Sequence, residues 1–187
     1  LLIGSPIVYP YNKAMNWIFG YGSIMWNPAI SYSEVRKAKL SGWARRFWQL
    51  SPDHRGTPAF PGRVVTLVEK ADCDCWGLAF RIEESQWDKT LEILDEREKN
   101  GYTRHFLEMN LAAGSEELCV TYIARDTNVS FSPLPSAKET ALNITQATGP
   151  SGSNTDYFLR LRDTLESLQV YDEEIERLNK AFVEIDR

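Results

Sequence analysis

In the stretch LDEREKNGY, Leu94 to Tyr102, one acid occupies a position whose helical phase belongs to the core. The segment from Ser85 to Glu98 reads as an amphipathic helix, because Trp87, Leu91 and Leu94 recur at the i, i+4, i+7 spacing of one buried face. At about 100° per residue, the next member of that stripe is Glu98, whereas Asp88, Lys89, Glu92, Asp95 and Glu96 turn toward solvent. Glu98 thus falls in the last turn, just before an Asn100-Gly101 pair that reads as a C-cap. Burial disfavours a carboxylate, and so does the negative end of a helix dipole, so this placement predicts a raised pKa. A carboxylate of that kind suits general acid–base work near neutral pH. The alternative without chemistry is a structural pair with a buried arginine, or a side chain reaching back to solvent past a frayed helix end.

A second stretch has the capacity to bind rather than to react. Trp17-Ile18-Phe19 is a short strand-like run that ends in Gly20-Tyr21-Gly22-Ser23. A strand running into a loop with two glycines leaves backbone N–H groups exposed and lets a ligand approach closely, so the loop suits a carboxylate or an oxyanion. Read alone it is equally an ordinary tight turn, and both the Walker and the dinucleotide fingerprints are absent. Arg55 and Arg63 flank the Pro- and Gly-rich loop His54 to Arg63; they either reach an anionic ligand or remain solvated. The WARRFW segment, Trp43 to Trp48, interleaves basic and aromatic residues in the manner of a single-stranded nucleic-acid platform. In an acidic chain a strand with alternate faces buried is the better reading.

The elements that must carry these residues follow from pattern. The 187 residues suit one domain with a sizeable core, and 43% hydrophobic and 25% charged residues are ordinary for a soluble globular protein. A net charge of −5 argues against nucleic acid as the main partner. The three cysteines, Cys73, Cys75 and Cys119, form no disulfide framework, and with two histidines no metal site and no cofactor are expected. Reduced thiols, no apolar run of membrane-spanning length and no convincing signal peptide point to a cytoplasmic protein. Strands are expected over Ser33–Leu40 and Arg45–Leu50, joined through Ser41-Gly42, and over Val64–Glu69 and Cys75–Ile82, separated by an acidic turn at Lys70–Asp74. A hairpin follows at Arg104–Asn110 and Leu118–Ala124, then helices near Ala137–Ala147, Thr155–Leu168 and Asp172–Phe182. Residues 1–16 read as an N-terminal arm on a single domain, 17–187. About six strands followed by a helical third give an α+β fold, a small mixed β-barrel or curled sheet with surrounding helices.

Taken together and in order, several segments resemble the ChaC-like, glutathione-specific members of the γ-glutamylcyclotransferase superfamily. They are FGYGSIMWNP (Phe19 to Pro28), RRFWQ (Arg45 to Gln49), HRG (His54 to Gly56), PGRVVTL (Pro61 to Leu67), CWGLAF (Cys75 to Phe80), the pattern Arg97-Glu98 with Gly101-Tyr102, and SGSNTDYFLRL (Ser151 to Leu161). Each is weak alone; the ordered set, covering residues 17 to 170, is specific. The resemblance implies a cyclotransferase barrel with a pocket at its mouth. It also implies cleavage of the γ-glutamyl amide of glutathione to 5-oxoproline and Cys-Gly, without metal or cofactor. It places Glu98 as the catalytic acid, the residue already singled out by its phase. Tyr21, Gly22, Ser23 and Ile24 would cradle the γ-glutamyl group, Tyr102 and Tyr157 would supply hydroxyls near the pocket, and Arg63 would balance a substrate carboxylate. Other readings stay open: the same chemistry on other γ-glutamyl amino acids or amines, a non-catalytic γ-glutamyl-binding module, and an RNA-binding role for Arg45, Arg46 and the tryptophans.

Overall fold

The β-branched and aromatic runs on either side of the Pro- and Gly-rich loop become the two longest strands of a closed barrel. The computed structural model describes residues 16–133 and 136–185, so the expected N-terminal arm lies outside the described residues but for Asn16. The barrel strands are β1 (Trp17–Gly20), β2 (Glu34–Ser51), β3 (Gly62–Arg81), β4 (Tyr102–Leu111) and β5 (Glu116–Ala124). They close in the order β1-β3-β2-β4-β5. β1 pairs with β5 in parallel and the other pairings are antiparallel, which makes the barrel mixed. The fold is therefore of the expected α+β barrel class.

Two expected chain breaks are absent. Ser41-Gly42 does not separate two strands: β2 runs through it as a bulge, with Gly42 at φ +82°. Lys70–Asp74 is not a turn either, because β3 continues through it. The polar composition that signalled a turn instead marks a solvated part of the ribbon, where Asp74 accepts hydrogen bonds from Lys39 and Ser41 of β2 at 2.6 and 2.7 Å.

Four helices cover the barrel: α1 (Trp87–Arg97), α2 (Ala137–Gln146), α3 (Asn154–Ser167) and α4 (Glu173–Ile185). Leu91 and Leu94 of α1 bury against Ile18, Phe80, Ile82 and Val120. Each such side chain is worth roughly 1.5–3 kcal/mol of burial, enough to fix which face of α1 looks inward. The later helices place Ile144, Phe158, Leu161, Ile175 and Leu178 over Phe47 and Leu67. The expected Gly149–Asn154 breaker folds as a small two-stranded turn, with Ser153 capping α3 by accepting from the Asp156 N–H.

Candidate active site

Glu98 is the C-cap of α1, one residue past the helix proper, with φ −96° and ψ 10°. Its side chain retains 16% of its exposure, so it faces inward without being sealed. Two features aim it. The helix phase, set by Leu91 and Leu94, turns it toward the barrel. Beyond it the chain must reverse at once to start β4, and Gly101 makes that turn at φ +94°. The turn is clamped from behind: Gln49 Nε2 donates to the Asn100 carbonyl at 3.1 Å, and Asn128 Nδ2 donates to both Gln49 Oε1 and the Gly101 carbonyl at 3.0 Å. Burial pushes the Glu98 carboxyl above its usual range, while Arg97 and His54 pull the other way.

Glu98 stands where two connected spaces meet. The inner recess, about 40 Å³, is lined by Tyr21, Gly22, Ser23, Ile24 and Val65. The outer cavity, about 330 Å³, is lined by Gln49, Asp53, His54, Arg55 and Ser151 among others. Ser23, Glu98, Tyr102 and Tyr157 border both. Six of the seven binding residues expected from sequence, with Glu98, are thereby brought together.

The inner recess is built by the end of β1. After Gly20 the chain turns into a 3-10 turn, Ser23–Met25, whose leading N–H groups at Gly22, Ser23 and Ile24 donate to no backbone carbonyl among the described residues. Position 22 must lack a side chain, since a Cβ there would lie 2.9 Å from Val65 Cγ2 and 3.1 Å from Tyr157 Oη. The loop is fixed from both sides. Arg97 donates to the carbonyls of Asn27 and Pro28 and to Ser23 Oγ, and its Nε lies 3.1 Å from Glu98 Oε1. From the barrel interior, Arg45 Nε donates to the Tyr21 carbonyl at 2.9 Å. The remaining Arg45 nitrogens are taken by the Trp76 carbonyl and by Asp172, just before α4. WARRFW is accordingly a strand with alternate residues buried, but the inward face carries Arg45, Phe47 and Gln49 rather than the tryptophans.

Two of the tyrosines meet at Val65 of β3 and the third is held by β5. Tyr102 Oη donates to the Val65 carbonyl at 2.7 Å, and the Val65 N–H donates to Tyr157 Oη at 3.4 Å. Tyr21 Oη donates to the Tyr122 carbonyl at 2.6 Å. Burial keeps all three phenols protonated, well above their usual titration range.

Arg63 is not brought to the cavity. It is buried in β3, where Nη1 donates to the Phe47 carbonyl at 3.2 Å and to the Ser132 carbonyl at 2.6 Å. Of the two arginines that flank the loop, Arg55 is the one at the cavity, and it is joined there by residues given no role from sequence: Arg97, Gln49, Asp53, His54 and Ser151. Their signal was the HRG and SGSN segments, whose loops meet where Ser151 N donates to the His54 carbonyl at 2.9 Å. Cys75 and Cys119 are buried thiols raised to about 12, away from this chemistry. Among the described residues no cluster of His, Cys, Asp and Glu is arranged to hold a metal, and no helix is long and apolar enough to cross a membrane.

A family model described as ChaC-like protein matches residues 16–185. The chain belongs to the ChaC-like family. Within it, the glutathione-specific gamma-glutamylcyclotransferase of Schizosaccharomyces pombe is 35% identical over 176 residues, spanning 85% of this chain and 87% of that protein. The human glutathione-specific gamma-glutamylcyclotransferase 1 is 37% identical over 154 residues, 80% of this chain and 69% of that one. The crystal structure of the yeast gamma-glutamyl cyclotransferase specific to glutathione superposes with a TM-score of 0.83 at 29% identity, covering 93% of this chain and 100% of the other. The ChaC-like match spans every element that borders the two spaces, from β1 to α3.

Proposed function

We propose that this chain is a glutathione-specific γ-glutamylcyclotransferase in which Glu98 moves the proton. The observation that carries the reading is an inward-facing, half-buried acid with a raised pKa at the junction of a glycine–serine recess and a larger cavity. Relatives over most of its length are named for this activity, and catalysis of it is the function of this chain.

The substrate brings its own nucleophile. Its α-amine attacks its own γ-carbonyl, a C–N bond closes the five-membered ring, and the amide C–N bond to cysteine breaks. At neutral pH the amine is an ammonium, so a base must first remove a proton. Glu98 takes that proton and returns it to the departing cysteinyl nitrogen, and a second proton, shed by the attacking nitrogen as the ring closes, completes the ammonium of Cys-Gly; no water is consumed and the products are 5-oxoproline and Cys-Gly. The pairing with Arg97 opposes the upward push that burial gives the carboxyl. Ring closure needs the chain held folded, and well-oriented intramolecular reactions gain about 7–11 kcal/mol from that alone. Gly22, Ser23 and Ile24 line the recess, and their N–H groups, which donate to no backbone carbonyl among the described residues, meet the oxyanion; Tyr21, Tyr102 and Tyr157 shape its wall.

The outer cavity favours the tripeptide over γ-glutamyl amino acids or amines. At about 330 Å³ it lies in the usual range of ligand pockets, room that a Cys-Gly leaving group would fill and a small amine would not. The test is to incubate the purified protein with glutathione and with γ-glutamyl-alanine and to follow 5-oxoproline. Turnover of glutathione alone is expected. Glu98→Gln should fold and bind glutathione while losing at least about 10³-fold in turnover. Retention of most activity would assign the proton transfer to another group.

A further inference from the structure

The outer cavity contains an unused hydrogen-bonding fork, and the residue bearing it is Arg55 rather than Arg63. Three side chains with ring or guanidinium nitrogens border the cavity: Arg55, Arg97 and His54. Arg97 has no edge to spare, since its nitrogens are engaged by Asn27, Pro28, Ser23 and Glu98. His54 is largely exposed, with Nδ1 3.1 Å from Ser151 Oγ and Nε2 3.5 Å from Asp53. Arg55 differs from both. Only its Nη1 is engaged, donating to the Ser153 carbonyl and to Asp156 Oδ2 at 3.1 Å each. Nε and Nη2 have no partner among the described residues, and those two nitrogens form one edge of the planar guanidinium. An edge of that kind matches the two oxygens of a carboxylate.

The guanidinium is also held in place. Its side chain is 12% exposed, its carbon lies 5.6 Å from the centre of the Tyr157 ring, and its backbone N–H donates to Ser51 Oγ at 3.1 Å. Tyr157 borders both spaces, whereas Arg55 borders the outer cavity and not the recess. A substrate whose γ-glutamyl end fills the recess, with its scissile amide at Glu98, extends its other end into the cavity that Arg55 borders. On the same wall Asp156 is answered by Arg160 as well as Arg55, and His54 Nε2 lies 3.5 Å from Asp53 Oδ2.

We infer that the Nε/Nη2 edge of Arg55 receives the C-terminal carboxylate of the peptide substrate and sets the preference for a γ-glutamyl peptide with a free C-terminus. The inference rests on the function proposed above. The test compares glutathione with its C-terminal amide, γ-glutamyl-cysteinyl-glycinamide, in the wild-type protein, Arg55→Gln and Asp156→Asn. The wild type should prefer glutathione about tenfold or more in kcat/KM, chiefly through KM, the loss expected for one charge-assisted pair. Arg55→Gln should bring glutathione down to the level of the amide and leave the amide within about twofold. Asp156→Asn, which spares the free edge, should keep the preference. Equal use of both substrates by the wild type overturns the inference. So does an Arg55→Gln variant that loses both substrates equally, which would place the carboxylate of the γ-glutamyl end at Arg55 or make the residue structural. Calorimetric binding of the same two ligands to Glu98→Gln, with and without Arg55→Gln, reads the pairing without turnover. If no protein turns over either substrate, the cyclotransferase reading fails and the binding difference still decides the role of Arg55.

Discussion

Replacing Arg45 separates what holds the barrel together from what holds the recess in shape. The Arg45 side chain has 0% exposure and Asp172, its partner, 9%, so Arg45→Met leaves a carboxylate nearly buried without its counter-charge. It also removes the donors to the Tyr21 and Trp76 carbonyls. Breaking a buried pair from one side costs about 3–5 kcal/mol. In a chain of this length each kcal/mol is worth about 2–4 °C, so Tm should fall by roughly 6–20 °C. The double variant Arg45→Met/Asp172→Asn removes the stranded charge while keeping a side chain able to cap the Ile175 N–H, which Asp172 Oδ1 accepts at 3.1 Å. Thermal unfolding followed by circular dichroism should show at least half of the lost Tm recovered. The Tyr21 carbonyl still lacks its donor in the double variant, and the loop carrying Gly22, Ser23 and Ile24 is free to drift. A misplacement near 1 Å costs on the order of 10²-fold in rate, so 5-oxoproline release at saturating glutathione should stay at least about tenfold down. Recovery of turnover in step with Tm would show that Arg45 serves stability alone and does not position the recess.

Gly22→Ala pushes a methyl group against Val65 Cγ2 and Tyr157 Oη, at 2.9 and 3.1 Å. Overpacking of this kind costs about 1–3 kcal/mol, and kcat/KM should fall by more than about 30-fold because the strain lands on the recess. Gly114→Ala, at φ +96° with nothing within 4 Å, is the matched control: it should lose stability and keep its turnover. Since Glu98 must be ionised to accept a proton and burial raises its pKa above the ordinary 4.5, the acid limb of kcat/KM should lie above that value. Linkage fixes the companion effect on stability. A group titrating higher in the folded than in the unfolded protein binds its proton more tightly when folded, so its contribution is present at low pH and lost as pH rises through the folded pKa. Glu98→Gln should therefore raise Tm at pH 8 by more than at pH 4; an equal change at both would show that burial does not perturb this acid.

The residues nearest to chemistry were legible because their signal is local. The inward phase of Glu98 follows from Leu91 and Leu94 within the same helix, and the donor-rich turn after Gly20 follows from Gly22 and Ser23 themselves. The order of the motifs carried the barrel class, since it reflects the whole chain at once. Periodicity also placed Arg45 in a strand, but it could not say that the guanidinium would be wanted inside, because its acceptors at Tyr21, Trp76 and Asp172 arrive from three other parts of the chain. The continuity of β3 through Lys70–Asp74 was hidden for a related reason: a solvated ribbon paired on one edge has the composition of a turn.

The choice between Arg55 and Arg63 shows most directly what only the tertiary structure decides. Both flank the same loop and both are cations on flexible stems, so composition and spacing treat them alike. Pairing of β3 with β2 draws Arg63 under the loop at Ser132, where its Nη1 donates to the Phe47 and Ser132 carbonyls, and the approach of α3 engages only Nη1 of Arg55 at the border of the cavity. Sequence determined which side chains have the chemistry and which way a helix turns them. Which of them share a cavity was settled by contacts between residues as far as 127 positions apart, and pairings at that range leave no periodic trace in the chain.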